Sequence, residues 1–192
     1  MSAPDVRFRL DLAYDGGAFS GWATQPGRRT VSGEIEEALA RILRLPELPR
    51  LTVAGRTDAG VHAIGQVAHA DLPPTEETAL ARRLNRLLPE DVRVRQVAVA
   101  APGFDARFSA LSRCYRYRLS DAPYGVDPLR RHHSVTARRT LDVAAMARAA
   151  AGLVGEHDFA AYCRRREGAT TVRQLLRLGV FRDEAVPTDI SV

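Results

Sequence analysis

The sequence predicts an α+β fold in which helices alternate with the antiparallel strands of a sheet. Two observations carry this prediction. Short stretches in which apolar and polar residues alternate indicate half-buried strands, and longer stretches with apolar residues every three or four positions indicate amphipathic helices. These stretches follow one another as strand, helix, strand, strand, helix, strand through the first half of the chain, and part of this order recurs in the second half.

In the first half, the elements can be placed in order. Val6 to Tyr14 alternates apolar and polar residues and predicts the first strand. Thr30 or Ser32 is a suitable N-cap, and the apolar residues from Ile35 to Leu43 recur at helical spacing. The later elements are strands over 51–54, 64–72 and 92–99 and a helix that begins at Pro74 or Thr75. This order is the split βαβ arrangement of a ferredoxin-like unit.

A second unit is predicted after the turn signal at Ala101-Pro102-Gly103. Its elements are a strand over 111–119, a helix over 141–153 capped by Thr140, and a strand over 172–181. The chain then ends in a strand-like stretch over 189–192, so we expect this unit to be incomplete. The prediction is an N-terminal ferredoxin-like unit over 1–103 and a shortened one over 104–192, whose strands share one extended antiparallel sheet with a face open to ligand.

The chain is basic, with a formal net charge of +5. All 28 lysine-plus-arginine residues are arginine, whose planar guanidinium matches phosphate groups and base edges. In the C-terminal half, arginines are interleaved with tyrosines, and RNA bases stack on both kinds of side chain, so RNA is the favoured ligand. The residues concerned are Arg113, Tyr115, Arg116, Tyr117, Arg118, Arg130, Arg131, Arg138, Arg139, Tyr162 and the run Arg164-Arg165-Arg166.

Several other classes of protein are disfavoured. No apolar run approaches the roughly 18 residues that a transmembrane helix needs, and the first residues lack the basic and apolar regions of a secretory signal. Cys114 and Cys163 do not form a disulfide or zinc pattern, and the five histidines lack the spacing of metal ligands. We therefore expect a soluble, cytoplasmic protein with no metal.

The stretch from Ala54 to Ala63 carries the chemistry of the first half. It places Arg56 and Asp58 two positions apart in a glycine-flanked loop between two predicted strands. An arginine beside an aspartate keeps the carboxylate ionised and aimed, and an ionised carboxylate can act as a nucleophile or as a general base. By local chemistry alone, the favoured interpretation is an ion pair that only fastens a tight turn, since such structural pairs are common.

Gly55 to His62 (GRTDAGVH) resembles the active-site motif of the tRNA pseudouridine synthase A (TruA) family. Further segments resemble other motifs of this family in the same order along the chain. They are Tyr14-Asp15-Gly16, Phe19 to Trp22, Thr30-Val31 with Glu36 to Leu39, Gly65 to Val67, Phe104 to Ala110, Tyr115 to Tyr117 and Leu153 to Phe159. The resemblance therefore extends over nearly the whole chain.

The resemblance implies an isomerase that converts uridine to pseudouridine in the tRNA anticodon stem-loop, at family positions 38–40, without a cofactor. Asp58 would be the catalytic nucleophile on a flipped-out base, with Arg56 as its partner and Tyr115 stacked on the target uracil. Attack at uracil C6, attack at ribose C1′ and proton abstraction all remain open for Asp58. RNA contacts would come from Phe104, Arg107, Phe108, Tyr115, Arg164, Arg165 and Arg166.

Alternatives to these assignments remain. Phe104 and Phe108 can be core residues between the units, and the run 164–166 can be a solvated loop. Cys114 reads as a buried neutral residue at a position that is usually basic in the family. A non-catalytic RNA-binding module would have the same basic surface, whereas a hydrolase would need a metal or a second carboxylate. The family forms homodimers and extends beyond Val192, so we expect the shorter chain to be less stable and to turn over slowly.

Overall fold

Four antiparallel strands form the sheet of the first unit. The computed structural model describes residues 4–163, 168 and 170–192. The strands are β1 (Val6–Tyr14), β2 (Thr52–Val53), β3 (Ala63–Leu72) and β4 (Val92–Val99), arranged in the order β2-β3-β1-β4. Helices α1 (Val31–Leu43) and α2 (Glu77–Leu87) complete the unit. The α+β class predicted from the sequence is therefore confirmed.

The register of β1 explains why one face of this sheet is buried. Leu10 lies opposite Ala68 of β3 and Val97 of β4, and all three are buried in the core. The neighbouring Arg9 pairs with His69 on the other face. Because side chains alternate along a strand, the apolar half of β1 packs against the helices while its charged half faces away from them.

The two helices are positioned by caps and by apolar stripes. Thr30 accepts a hydrogen bond from Gly33 N at 3.4 Å, and Ile35 and Leu39 of α1 are fully buried. Helix α2 begins later than predicted, because the Glu76 carboxylate, rather than Thr75, accepts from the free N–H groups of the first turn. The backbone N–H groups of Ala79 and Thr78 lower the pKa of Glu76.

The buried hydrophobic cluster of the described residues lies in the first unit. It joins the inner face of the sheet to both helices and includes the single tryptophan, Trp22, at 2% exposure. Among the described residues of the second unit, the buried hydrophobic ones are Ala122, Ala150 and Ile190. Each large buried apolar side chain contributes about 1.5–3 kcal/mol, so most of the apolar stabilisation of this chain resides in the first unit.

The chain divides into its two units between Arg113 and Cys114, and not at residue 103. The segment after the Ala101-Pro102-Gly103 turn remains attached to the first unit through hydrogen bonds. Arg7 Nη1 donates to Phe104 O at 2.9 Å, and Ala106 N donates to His69 Nδ1 at 3.0 Å. These contacts join residues far apart in sequence, so the turn signal alone did not reveal them.

The second unit contains one α-helix and six short strands in the described ranges. The helix is α3 (Val143–Ala151). The strands are β5 (Arg118–Ser120), β6 (Val135–Thr136), β7 (Gly155–Asp158), β8 (Val172–Leu175), β9 (Phe181–Arg182) and β10 (Asp189–Ser191). They form one sheet in the order β6-β5-β10-β9 and a second sheet of β7 with β8. Because β5 and β6 run parallel, the expectation of wholly antiparallel strands is wrong for this pair.

Three elements predicted in the second unit differ from the structure. The strand over 111–119 is found only at β5, preceded by one pair of backbone hydrogen bonds between Tyr117 and Val192, both of 2.9 Å. Cys114, expected to be buried, is exposed in the segment before this pair. Helix α3 begins at Val143 because Asp142, not Thr140, caps it through Ala145 N at 2.9 Å.

The stretch over 172–181 is two strands rather than one, because its ends pair with different partners. Its first half pairs with β7, and Phe181 and Arg182 pair with β10. Arg182 also forms a bidentate ion pair with the nearly buried Asp121 at 2.9 Å and donates to Leu141 O. The Arg182 hydrogen bonds, followed by that from Leu141 N, lower the pKa of Asp121 to about 2.

The described helices are too short and too polar to cross a membrane.

Candidate active site

Asp58 lies in the loop between β2 and β3, and its carboxylate is exposed. Arg56 is exposed as well, and the predicted ion pair between Arg56 and Asp58 is absent. Within the described ranges, the Asp58 side chain forms no hydrogen bond and no ion pair. The interpretation of these residues as a pair that fastens the turn is therefore wrong for this structure, and the carboxylate is open to a ligand.

Although the carboxylate is open, the backbone around it is fixed by hydrogen bonds. Trp22 N donates to Thr57 O at 2.9 Å, immediately before Asp58. Val61 N donates to Asp58 O at 3.2 Å, and Gly60 N donates to Phe19 O at 3.3 Å. The loop is thus held both to itself and to the segment that follows β1.

Two glycines permit the close approach of these segments. A Cβ atom on Gly16 would lie 2.0 Å from Val61 O, far inside van der Waals contact. Gly21 has φ +95°, and a Cβ atom there would lie 3.0 Å from Thr57 O. Gly21 is therefore required for its conformation as well as for its size, and Gly16 for its size alone.

A chain of side-chain hydrogen bonds reaches Thr57 from the core. Gln66 Nε2 donates to Gly55 O at 2.8 Å and to the Tyr14 hydroxyl at 3.1 Å. The Tyr14 and Thr57 hydroxyl oxygens are 2.8 Å apart. Tyr14 and Gln66 are both buried, so this network connects the strands of the sheet to the residue that precedes Asp58.

His62 joins the other end of the loop to the turn after β1. Its Nδ1 accepts from Gly16 N at 3.2 Å and lies 2.9 Å from Asp15 Oδ1. At the base of the loop, Arg113 Nε donates to Ala54 O at 3.1 Å, and Ala54 N donates to Val67 O at 2.8 Å. The loop is therefore supported at its start, its middle and its end.

A second candidate region of the first unit is the segment from Phe104 to Phe108. Phe104 is half-buried and packs edge-on against the His69 ring, with ring centroids 6.1 Å apart. Phe108 is 79% exposed, and the Arg107 guanidinium lies 5.3 Å from its ring centroid. Within the first unit, Phe108 is therefore a surface residue, whereas Phe104 is partly structural.

Asp105 and His69 together hold this segment in place. The Asp105 carboxylate accepts from Arg107 N at 2.8 Å and from Phe108 N at 3.1 Å, which forms a tight turn. Burial raises the pKa of Asp105, whereas these two backbone N–H groups and the nearby His69 and Arg7 lower it, and the net result is a lowered pKa. Because His69 Nδ1 accepts from Ala106 N, this ring nitrogen carries no proton.

We expect the first unit to lose stability as the pH falls below about 6.5, the usual pKa of histidine. Burial, and then the nearby Arg7, lower the pKa of His69, while Asp105 and Asp71 act weakly in the other direction. The unfolded chain therefore takes up the proton first, and the loss continues until the pH reaches the lowered folded-state pKa.

Urea unfolding monitored by the fluorescence of Trp22, the only tryptophan, measures this effect between pH 8 and pH 5. The control is His69→Gln, which cannot be protonated and keeps an oxygen that can accept from Ala106 N. We expect a smaller loss of stability in the variant between pH 7 and pH 5. Equal losses in the two proteins would contradict the assignment to His69.

In the second unit, the structure describes only some of the predicted site residues. Tyr115 is 71% exposed and Tyr117 is 56% exposed. Neither lies in a strand, so the expectation that both point to one face of a strand does not apply. Arg164, Arg165 and Arg166 lie outside the described residues.

The supporting roles of three residues near the candidate site were not predicted from the sequence. They are Tyr14, which contacts Thr57, His69, which contacts Ala106, and Arg113, which contacts Ala54. Tyr14 belongs to the Tyr14-Asp15-Gly16 motif, but an alternating strand also explains a tyrosine at that position. Among the described residues, no group of three or more His, Cys, Asp and Glu side chains could hold a metal ion.

The fold and site together define an α+β protein that presents an exposed carboxylate on a braced, glycine-lined loop. A tRNA pseudouridine synthase A of Frankia casuarinae is 66% identical over 178 residues, and one of Leifsonia xyli subsp. xyli is 52% identical over 202 residues. The chain belongs to the tRNA pseudouridine synthase A family.

These relatives match nearly all of this chain, which in turn matches only part of each relative. The Frankia alignment covers 92% of this chain and 65% of the relative, and the Leifsonia alignment covers 95% and 70%. A relative of the same name from Streptomyces avermitilis is 57% identical, with coverages of 95% and 67%. The chain therefore spans about two thirds of the length of the curated relatives it matches. No family model matches it.

Proposed function

We propose that this chain is an isomerase that converts uridine to pseudouridine in tRNA, with Asp58 as the nucleophile. The observation that carries this proposal is the exposed Asp58 carboxylate, unpaired among the residues that the structure describes, on a loop whose backbone is fixed. It is supported by relatives named tRNA pseudouridine synthase A that are 52–66% identical to the chain. The family's anticodon stem-loop, at positions 38–40, is the proposed site of modification.

Pseudouridine formation requires an ionised carboxylate beside the base, and this site can supply one. Uridine and pseudouridine are isomers, since a C5–C1′ bond replaces the N1–C1′ bond and no atom is gained or lost, so we propose that no cofactor takes part. Attack at C6, attack at C1′ and proton abstraction each require an ionised carboxylate beside the base. The target base must leave its stack to reach Asp58, which costs a few kcal/mol.

The remaining site residues have proposed roles that follow from their exposure. Exposed Arg56 has no ion-pair partner among the described residues, so its guanidinium is available to RNA beside Asp58. Tyr115 presents an exposed ring for stacking on the uracil. Arg107 and Phe108 would contact phosphate and an unpaired base, and half-buried Phe104 would contribute its accessible edge. The arginines at 164–166 would add phosphate contacts.

We also infer that the first unit has a ferredoxin-like arrangement and that this unit carries the catalytic loop. The order β2-β3-β1-β4, with α1 and α2 in the two connections, supports this inference. The second unit would contribute RNA contacts and part of the pocket. Its described strands pair only with one another, so the predicted sheet shared by both units is wrong for the described residues. A cytoplasmic homodimer is the assembly that the family resemblance favours.

The direct test is incubation of the chain with a tRNA transcript that carries labelled uridine, followed by digestion and separation of the nucleosides. We expect labelled pseudouridine to form, with its position mapped to the anticodon stem-loop. If the chain binds tRNA but forms no pseudouridine, it is a non-catalytic RNA-binding module. If the chain neither binds nor modifies tRNA, it is neither the proposed isomerase nor a tRNA-binding module.

We expect Arg107→Ala to weaken tRNA binding and to reduce its dependence on salt. For each phosphate contact that is lost, the slope of log K against log salt should fall by about 0.7–0.9. Binding is measured by filter retention or fluorescence anisotropy over a series of salt concentrations.

The matched control is Arg86→Ala. Arg86 is an exposed arginine on α2, and α2 covers the face of the sheet opposite to the one on which the segment from Phe104 to Phe108 lies. This variant removes the same charge and should leave the slope unchanged. If both variants change the slope equally, the effect is one of net charge, and Arg107 is not a specific contact.

A further inference from the structure

We propose that Tyr14 is a positioning residue for Asp58, acting through its hydroxyl group on Thr57. This inference rests on the proposed function, since it concerns the orientation of the same carboxylate. Tyr14 does not itself reach the substrate in this proposal. It fixes the residue that precedes Asp58, so that the aspartate meets the base in one orientation.

The hydrogen bonds assign a direction to the network. A backbone carbonyl can only accept, so the 2.8 Å contact with Gly55 O requires the Gln66 amide nitrogen at that position. The same nitrogen then donates its second hydrogen to the Tyr14 oxygen at 3.1 Å. The Tyr14 oxygen therefore accepts from Gln66, and it also lies 2.8 Å from Thr57 Oγ1, where either hydroxyl can donate.

The network lies where it can restrict movement. Tyr14 is 5% exposed and Gln66 is 8% exposed, so water does not readily replace their mutual hydrogen bond. The Tyr14 ring is also held against Trp22, with ring centroids 6.0 Å apart. Trp22 N in turn donates to Thr57 O at 2.9 Å. Thr57 is thus held at its hydroxyl and at its carbonyl, although Asp58 beside it is exposed.

Thr57 directly precedes the proposed nucleophile, so a small movement of Thr57 would change the position of the Asp58 carboxylate and the reaction rate. A shift of about 1 Å in a reacting group can lower a rate about 100-fold. The buried ring of Tyr14 serves the core, whereas its hydroxyl serves the loop. Tyr14→Phe separates these two contributions, since it removes the hydroxyl and keeps the ring.

The test compares single-turnover rates of pseudouridine formation with tRNA dissociation constants. We expect Tyr14→Phe and Thr57→Val each to lower the rate about 10- to 100-fold, with little change in tRNA affinity. Thr57→Ser keeps the hydroxyl and should restore most of the rate. Because the two groups act through one contact, the double variant should be no slower than the slower single variant.

A control separates positioning from general loss of stability. Ile42→Val removes one methylene from the core on α1 and should leave the rate unchanged, although it destabilises the fold. If Tyr14→Phe has the natural rate, or if Thr57→Ser is as slow as Thr57→Val, the hydroxyl contact does not position Asp58 and the proposal is overturned.

Amide hydrogen exchange tests the network without reference to activity. The amides of Trp22, Gly60 and Val61 make the hydrogen bonds that hold the loop. We expect them to exchange faster in Tyr14→Phe and Thr57→Val, and at the natural rate in Thr57→Ser. If the natural chain forms no pseudouridine, the proposed function fails, while faster exchange still supports the positioning network. Unchanged exchange in every variant would overturn that network.

Discussion

Asp58→Asn is expected to abolish pseudouridine formation and to leave tRNA affinity within a few-fold of that of the natural chain. Asparagine has nearly the same size and shape as aspartate, but its amide has no ionised oxygen for nucleophilic attack or proton abstraction. The carboxylate forms no hydrogen bond or ion pair within the described ranges, so its replacement should not disturb the loop. Contacts to phosphate supply much of the affinity of nucleic-acid-binding proteins, and an anionic carboxylate is not suited to make them.

Single-turnover assays with excess protein measure the rate, and filter binding measures the affinity. The matched control is Asp5→Asn, an exposed aspartate that precedes β1 at the end of the strand opposite Tyr14. This variant makes the same chemical change and should keep the natural rate. Substantial activity in Asp58→Asn would exclude Asp58 as the nucleophile.

Gly16→Ala is expected to have the largest effect on stability. Its Cβ atom would lie 2.0 Å from Val61 O and 2.4 Å from Val61 C, both backbone atoms, so the contact cannot be relieved by rotation of a side chain. Overpacking of this kind costs about 1–3 kcal/mol. The segments after β1 and around Asp58 must separate, so pseudouridine formation should fall as well.

Gly65→Ala is the control for this substitution. Gly65 has no atom within 4 Å of the added Cβ, and its backbone does not require glycine. A change at such a position is usually within about 0.5 kcal/mol. Urea unfolding monitored by Trp22 fluorescence gives both values. Equal stability of Gly16→Ala and the natural chain would show that the loop is not held as closely as the structure describes.

The sequence by itself determined those features that depend on neighbours along the chain. β1 and β4 have the predicted bounds because their alternating residues report a sheet with one buried face. Helix α1 has the predicted N-cap and the predicted apolar stripe, because both are patterns among residues that are close together in the sequence. The loop that carries Asp58 was predicted from its glycines and from the strands on either side.

The second unit was predicted less well because its strands are short and depend on distant partners. The alternation over 111–119 is suitable for a strand, but residues 118–120 form β5 because β10 and β6 lie beside them. In the same way, the stretch over 172–181 is divided by two different partners, β7 and β10. Pairing of this kind is a property of the folded chain and not of the local pattern.

For the candidate site, the sequence determined the residue and the tertiary structure decided its surroundings. The motif identified Asp58 and predicted its pairing with Arg56, two residues away, but the folded loop leaves both side chains exposed and unpaired within the described ranges. The bonds that support the site join Tyr14 to Thr57 across 43 positions and Ala106 to His69 across 37. Such contacts follow from strand order and register, which bring distant residues together, and no local spacing encodes them.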